Sequence, residues 1–306
     1  MQPLYTPKRG REGRTEPMRV MVFFSGGASS MKYMLENDTK HGRLYKVAAA
    51  FTDKPSAERG INLASQHDVP VVVFDRREFY KRKNLDPKIF DSRKFYYEEV
   101  LRKIEDFKPD VIALSGYMHI ISDPLLDEYE NRILNVHPAD LSILKKRKGD
   151  RCLLPVEVFY AGKKGTKEVL EMIVSRGLER AYKGEDAVTD AVLNGEEFTK
   201  STVHIATEHF DEGPILVQSK KFPVDTKFVS RKLRMRDWSS LVDYAHRLQE
   251  EMKWEGDGPA YAKAMEFVSQ GRLAVDEFVV FLDGKELPYH GFQLEGHLNQ
   301  EGDLII

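Results

Sequence analysis

"VMVFFSGGASSMKYML", residues 20–35, runs from an apolar stretch through small residues into a helical pattern. Its first five residues are apolar without alternation, so they predict a strand buried on both faces. Ser25-Gly26-Gly27-Ala28-Ser29-Ser30 then forms a tight turn at the head of a helix. The first N–H groups of a helix have no partner within it, and phosphate binds there readily. Strand, small-residue turn and helix in this order predict an anion-binding loop.

The pattern repeats outward from this stretch. "RVMVFF", "YKVAAAF", "VPVVVF", "DVIALSG" and "RILNVH" all read as strands, with amphipathic segments between them. Helices are expected over 56–67 and 93–107, where apolar residues recur at helical spacing. The alternation predicts an α/β fold with a mainly parallel sheet covered by helices. After "NVHP" the rhythm fails. "LKKRKGDRCLL" is basic and turn-rich, and "GTKEVLEMIVSRGLERAY" reads as an amphipathic helix, so 141–182 is taken as an insertion. Strands resume with "STVHIATEHF" and "GPILVQSKKF". Helical segments over 228–253 and 259–270 follow, then "RLAV" and "EFVVFLDGKEL". Residues 1–17 are expected to be a mobile basic arm, 18–294 one domain carrying the insertion, and 295–306 a polar tail. No internal repeat or low-complexity tract is present.

Composition narrows the class. The 306 residues are 41% hydrophobic and 31% charged, which suits a globular chain able to bury a core. A net charge of −2 gives no global attraction to nucleic acid or to an anionic membrane. The local run Lys145, Lys146, Arg147, Lys148 and Arg151 reads as a solvated loop in preference to a nucleic-acid site. With Cys152 as the one cysteine, no intramolecular disulfide forms, and a cytoplasmic location is expected. Neither a membrane span nor a secretory signal is read, so no membrane partner is expected. His41, His67, His209, His246, His290 and His297 show no ligand spacing, and no metal is expected. The oligomeric state is not read from the sequence.

Polar residues at the carboxyl ends of parallel strands mark where chemistry is placed. In "RILNVHP", Asn135 and His137 share one side of a strand through their two-residue spacing. Asp211 precedes a Gly-Pro turn in "STVHIATEHFDEGPI". "SGYMHIIS" ends a strand and opens into a loop with aliphatic groups. Such a set suits acyl transfer to an amine. An Asn amide donates to an oxyanion, a His moves protons, and a carboxylate fixes the imidazole or relays a proton through water.

"PDVIALSGYMHIISDPLLDEYENRILNVHPADL" and "GEEFTKSTVHIATEHFDEGPILVQ" resemble the two central blocks of the folate-dependent formyltransferases. "FVSQGRLAVDEFVVFLDGKELPYHGF" resembles the C-terminal end of the branch that formylates glycinamide ribonucleotide. Outside the insertion the resemblance runs from about residue 18 to 294. The small-residue turn by itself also fits the pyrophosphate loop of ATP-cleaving ligases. Ser29 stands where that loop has its acid, and the later blocks have no counterpart there.

The resemblance implies a Rossmann-like, mainly parallel twisted sheet with helices on both faces. It also implies transfer of a formyl group from 10-formyltetrahydrofolate to the amine of glycinamide ribonucleotide in purine synthesis, with no metal. By the same resemblance Asn135 donates to the oxyanion, His137 handles protons, and Asp211 is its carboxylate partner. Gly26, Gly27, Ala28, Ser29 and Ser30 would hold the ribonucleotide phosphate, with Arg93, Arg247 and Glu250 near phosphate and ribose. Met118, His119, Ile120 and Ile121 would hold the folate, the backbone engaging the pterin. His119 is not expected to be catalytic.

Two departures bear on the substrate. The family's loop usually has Gly where Ala28 stands and Asn where Ser30 stands. A positive φ at Ala28 would cost roughly 1–2 kcal/mol. The family also reaches its Tyr-x-Gly segment soon after His-Pro, whereas here Tyr182 to Gly184 follow the insertion. Other acceptors therefore stay open, among them an amino sugar or a transfer RNA, as do hydrolysis of the folate and a non-catalytic binding protein. The hydrolases carry an extra domain before the catalytic one, and the first 17 residues are too short for it. No second domain after 294 is expected to bind transfer RNA.

Overall fold

The computed structural model describes residues 1–10, 15–147 and 156–294. These form two compact units. The first comprises Met1–Val136, Ile205–Gly213 and Met265–Val275; the second comprises His137–His204, Pro214–Ala264 and the chain from Asp276 on.

The alternation read from the sequence becomes β1 (Met18–Phe24), α1 (Ser29–Glu36), β2 (Tyr45–Thr52), α2 (Glu58–Gln66), β3 (Val71–Val73), α3 (Arg76–Lys83), α4 (Phe90–Ile104), β4 (Val111–Leu114) and β5 (Ile133–His137). The strands lie in the order β5-β4-β1-β2-β3, and every neighbouring pair is parallel. Side chains alternate across a strand, which separates two faces. Met21, Phe23, Ala49, Phe51, Ile112, Leu114 and Ile133 pack with Phe79 and Tyr80 of α3 and with Tyr96, Tyr97, Val100 and Ile104 of α4. Phe24, of the opposite parity, meets α2. A Cβ added at Gly60 would lie 2.4 Å from its ring and 2.7 Å from the Gly26 carbonyl oxygen. Helices thus cover both faces, and β1 is buried along its whole length except for a partly exposed Arg19.

The N-terminal segment departs from the expected mobile arm. Gln2–Pro3 pairs antiparallel with the strand Leu273–Asp276, and Leu4 N–H donates to the Leu273 carbonyl at 3.0 Å. Leu4 and Tyr5 are buried, and Lys8 forms an ion pair with Asp110. Burial of two large side chains holds a segment that charge counting alone would set loose.

In the second unit the insertion makes its own small sheet. β6 (Ile143–Lys146) sits between β7 (Val158–Tyr160) and β8 (Leu178–Arg180), both antiparallel to it. The predicted helix is α5 (Thr166–Arg176), whose Val169 packs with Leu141, Leu144 and Leu178. Lys145 of the basic run lies 3.9 Å from Glu179, whereas Lys148, Arg151 and Cys152 fall outside the described residues. The expected polar tail from 295 does as well. After α6 (Ala187–Leu193), β9 (Thr202–Ile205) and β10 (Ile215–Gln218) pair antiparallel. The single helix expected over 228–253 is two, α7 (Thr226–Met235) and α8 (Trp238–Met252). Arg236 adopts φ 55°, and the Asp237 carboxylate caps α8 by accepting the Ser240 N–H. That is a helix stop followed by an N-cap, and apolar spacing is blind to it. No helix among the described residues is long and apolar enough to cross a membrane.

Gly60→Ala should destabilise the protein by about 1–3 kcal/mol, the range for overpacking, against a helix-propensity gain of at most about 1 kcal/mol. Urea unfolding checks this through a lower midpoint at unchanged slope.

Candidate active site

The end of β1 is tied to two other strand ends. Ser25 N–H donates to the Gly116 carbonyl at 3.1 Å. The Ser25 hydroxyl donates to Asp53 Oδ1 at 2.6 Å and accepts the Met118 N–H at 3.0 Å. Asp53 is buried and pairs with Arg76 through its other oxygen at 3.3 Å. One hydroxyl therefore holds both loops that the sequence assigned to substrates.

Helix α1 has no side-chain cap of its own, because Ala28 occupies its N-cap with φ 51° and ψ 48°. The missing acceptor comes from a neighbouring strand end: Ser115 Oγ accepts the N–H of Ser30 at 3.1 Å and of Met31 at 3.4 Å. Of the residues expected to cradle an anion, Ser30 thus spends its N–H inside the protein. Gly27 is exposed, Gly26 and Ser29 are half-buried, and Ala28 is buried. Neither Ser115 nor Asp53 was singled out from the sequence, although each directly follows a strand. The strand-end rule that found Asn135 had the signal to find both.

β5 carries Asn135 and His137 two residues apart. Asn135 Nδ2 donates to Asp211 Oδ1 at 3.5 Å, the long end of hydrogen bonding. Asp211 is buried and held at φ 53° in a turn that only glycine can close. A Cβ on Gly213 would lie 1.9 Å from the Ile205 carbonyl oxygen. His137 is buried too, with Nε2 2.9 Å from the Tyr182 carbonyl oxygen. A carbonyl only accepts, so Nε2 carries the hydrogen, and in the neutral ring Nδ1 is the acceptor nitrogen.

Met118 and Ile120 expose their side chains, and Ile121 is buried. Two backbone groups of this loop are engaged internally, the Met118 N–H by Ser25 and the Ile120 carbonyl by the Tyr97 hydroxyl at 3.1 Å. Having donated to Ile120, Tyr97 accepts from His119 Nδ1 at 3.1 Å, and Tyr80 lies 3.4 Å from Nε2. The neutral Nδ1–H tautomer satisfies the whole set. Burial, followed by the positive charges of Arg76 and Arg93, lowers the His119 pKa to about 3. His119 is therefore a structural neutral ring stacked on Tyr97, with centroids 5.4 Å apart.

Arg93, half-buried on α4, is brought to the His119 cluster. Arg247 and Glu250 lie exposed on α8 in the second unit, where Glu250 pairs with Lys253. No group of three His, Cys, Asp or Glu among the described residues is arranged to hold a metal ion.

Residues 18–149 match the family described as Formyl transferase. The chain is similar to phosphoribosylglycinamide formyltransferase of Escherichia coli (strain K12), 26% identical over 275 residues, which cover 90% of this chain and 98% of that relative. The enzyme of the same name from Haemophilus influenzae is 23% identical, with 90% and 99% covered. Among solved structures, phosphoribosylglycinamide formyltransferase from Coxiella burnetii superposes with a TM-score of 0.60 at 20% identity, covering 91% of this chain and 99% of that one. At that identity the likeness concerns the fold.

Replacing Ala28 by Gly should stabilise the protein by up to about 1 kcal/mol, since a left-handed residue loses its Cβ strain. Thermal unfolding reads this as a higher Tm. For His119 the unfolded ring takes a proton near pH 6.5 and the folded ring only near 3. The unfolded state then binds more protons between those values. The stability that depends on this neutral ring is complete above 6.5 and is lost as pH falls towards 3. Side-chain nitrogen NMR at about pH 5 should find His119 neutral and protonated at Nδ1; an imidazolium there would contradict the assignment.

Proposed function

We propose that this chain, whose residues 18–149 match the formyl transferase family, transfers a formyl group from 10-formyltetrahydrofolate to the amine of glycinamide ribonucleotide, in cytoplasmic purine synthesis. The observation that carries the reading is the pairing of the Asn135 amide with the buried Asp211 carboxylate, on the strand that also bears His137. The names and nearly full coverage of the relatives from E. coli and H. influenzae support the choice of substrates.

In this reading the amine attacks the formyl carbon, a C–N bond forms, and the carbonyl oxygen becomes an oxyanion that accepts the Asn135 amide hydrogen. His137, fixed through Nε2, exchanges protons at Nδ1. Asp211 is its carboxylate partner and balances the imidazolium charge. The proton lost by the attacking amine is passed to the folate nitrogen as its bond to carbon breaks, so charge is conserved. Gly26, Gly27, Ala28 and Ser29 meet the ribonucleotide phosphate, and Arg93, Arg247 and Glu250 act near phosphate and ribose. With the Ser30 N–H donated to Ser115, this cradle offers one donor fewer than the five-residue loop has N–H groups. Met118, Ile120 and Ile121 supply apolar contact to the folate, a role that suits the exposure of the first two.

Asn135→Ala should lower kcat by about 10²- to 10³-fold, and His137→Ala by about 10²-fold or more. The assay follows tetrahydrofolate release by ultraviolet absorbance, with and without the ribonucleotide. Release that requires the ribonucleotide supports the proposal; equal release without it means hydrolysis and overturns the acceptor. Activity of Asn135→Ala within fivefold of the parent would remove that residue from the mechanism.

A further inference from the structure

The second unit holds a buried carboxylate that the mechanism above does not use. Glu196, which follows α6, is 4% exposed. Its Oε1 accepts from the Tyr182 hydroxyl and, at 3.2 Å, from Asn194 Nδ2. Its Oε2 accepts from the Tyr160 hydroxyl. Asn194 in turn donates to the Tyr182 oxygen at 2.8 Å and accepts the Val156 N–H at 2.5 Å, which fixes its amide orientation. Every donor in the cluster has an acceptor. The Tyr182 ring is fully buried among Ala139, Ile143, Ala181, Ala187 and Ala191. Small neighbours make a slot for a flat ring but grip it weakly, so the polar end sets its position.

Tyr160 and Tyr182 come from the two halves of the insertion, and the backbone carbonyl of Tyr182 is the one that receives His137 Nε2. We propose that Glu196 is a positioning residue for His137. By holding the Tyr182 hydroxyl it fixes the Tyr182 carbonyl, which keeps Nε2 protonated and confines proton exchange to Nδ1. The insertion, in this view, supplies the tautomer lock of the catalytic imidazole. The kinetic consequence rests on the proposed formyl transfer; the tautomer itself does not.

The test uses the full chain with Glu196→Ala, Glu196→Gln and Tyr182→Phe. Side-chain nitrogen NMR is recorded without substrate, at a pH where His137 is neutral. The parent should show a single Nε2–H tautomer. Glu196→Ala and Tyr182→Phe should show a mixture, and Glu196→Gln, which keeps one acceptor and presents its amide to a hydroxyl able to accept, should restore the parent state. In turnover, Glu196→Ala should lower kcat about tenfold, a fraction of the loss expected on removing the imidazole. KM for both substrates should stay within twofold, and Glu196→Gln should recover kcat to within threefold. If Glu196→Ala does not fold, Tyr182→Phe carries the test, because it removes only the hydroxyl that Glu196 holds and leaves the apolar ring to fill its slot. An Nδ1–H tautomer in the parent, or unchanged tautomer and kcat in a folded variant, overturns the proposal. If the parent forms no product from the ribonucleotide, the reaction proposed above fails, while the NMR result still decides this one.

Discussion

The Ser25 hydroxyl binds two loops at once, giving its hydrogen to Asp53 and receiving one from the Met118 backbone. A central strand between two helical layers forces such economy. From Val20 to Phe24, β1 has no measurable exposure, so polar atoms emerge only where the strand stops. At that point each exposed N–H or carbonyl needs a partner, and the adjacent strand ends supply them. Ser115 does the same for α1, whose own N-cap is an alanine without an acceptor. The two loops assigned to substrates are therefore built as one hydrogen-bonded piece within the first unit, and a displacement of either is felt by the other.

Much of this architecture was legible in the sequence. The runs from "RVMVFF" to "RILNVH" became parallel strands because β-branched and aromatic residues without alternation suit burial on two faces. Helix limits slipped by a few residues, as at α4, which begins at Phe90 and not at 93. The break at Arg236 and Asp237 was missed because apolar spacing continues across it, whereas the stop lies in one positive φ and one capping carboxylate. The segment Gln2–Tyr5 was misread for a different reason. Its anchors, Leu273 and Ala274, lie far along the chain, and no local signal announces a pairing at that separation.

The candidate site divides the same way. Asn135 and His137 were found by their shared side of a strand, and Asp211 by the turn after it; the positive φ at Asp211 and the crowding at Gly213 explain why that turn has its composition. Asp53 and Ser115 act through partners 28 and 85 residues away and Glu196 through the insertion, and their residue types alone promise nothing. The left-handed φ that would make Ala28 costly is the one it adopts. Ser115 supplies from outside the helix the acceptor that alanine lacks, while the strain of its Cβ stays.

His119 shows how the neighbouring charges are accommodated. Arg76 is compensated by Asp53, and a further cation beside Arg76 and Arg93 in a poorly hydrated place would meet two like charges. The ring stays neutral instead. Burial raises the pKa of the surrounding Tyr80, Tyr96, Tyr97 and Tyr117, so these phenols keep their hydrogens and act as donors. Met118 and Ile120 are thus mounted on an aromatic base that carries no charge of its own across the neutral range. Such a base fixes the loop by stacking and partly buried hydrogen bonds of 3.1 to 3.4 Å, which salt screens little, while it leaves the arginines as the positive charges that a ligand near this loop would meet.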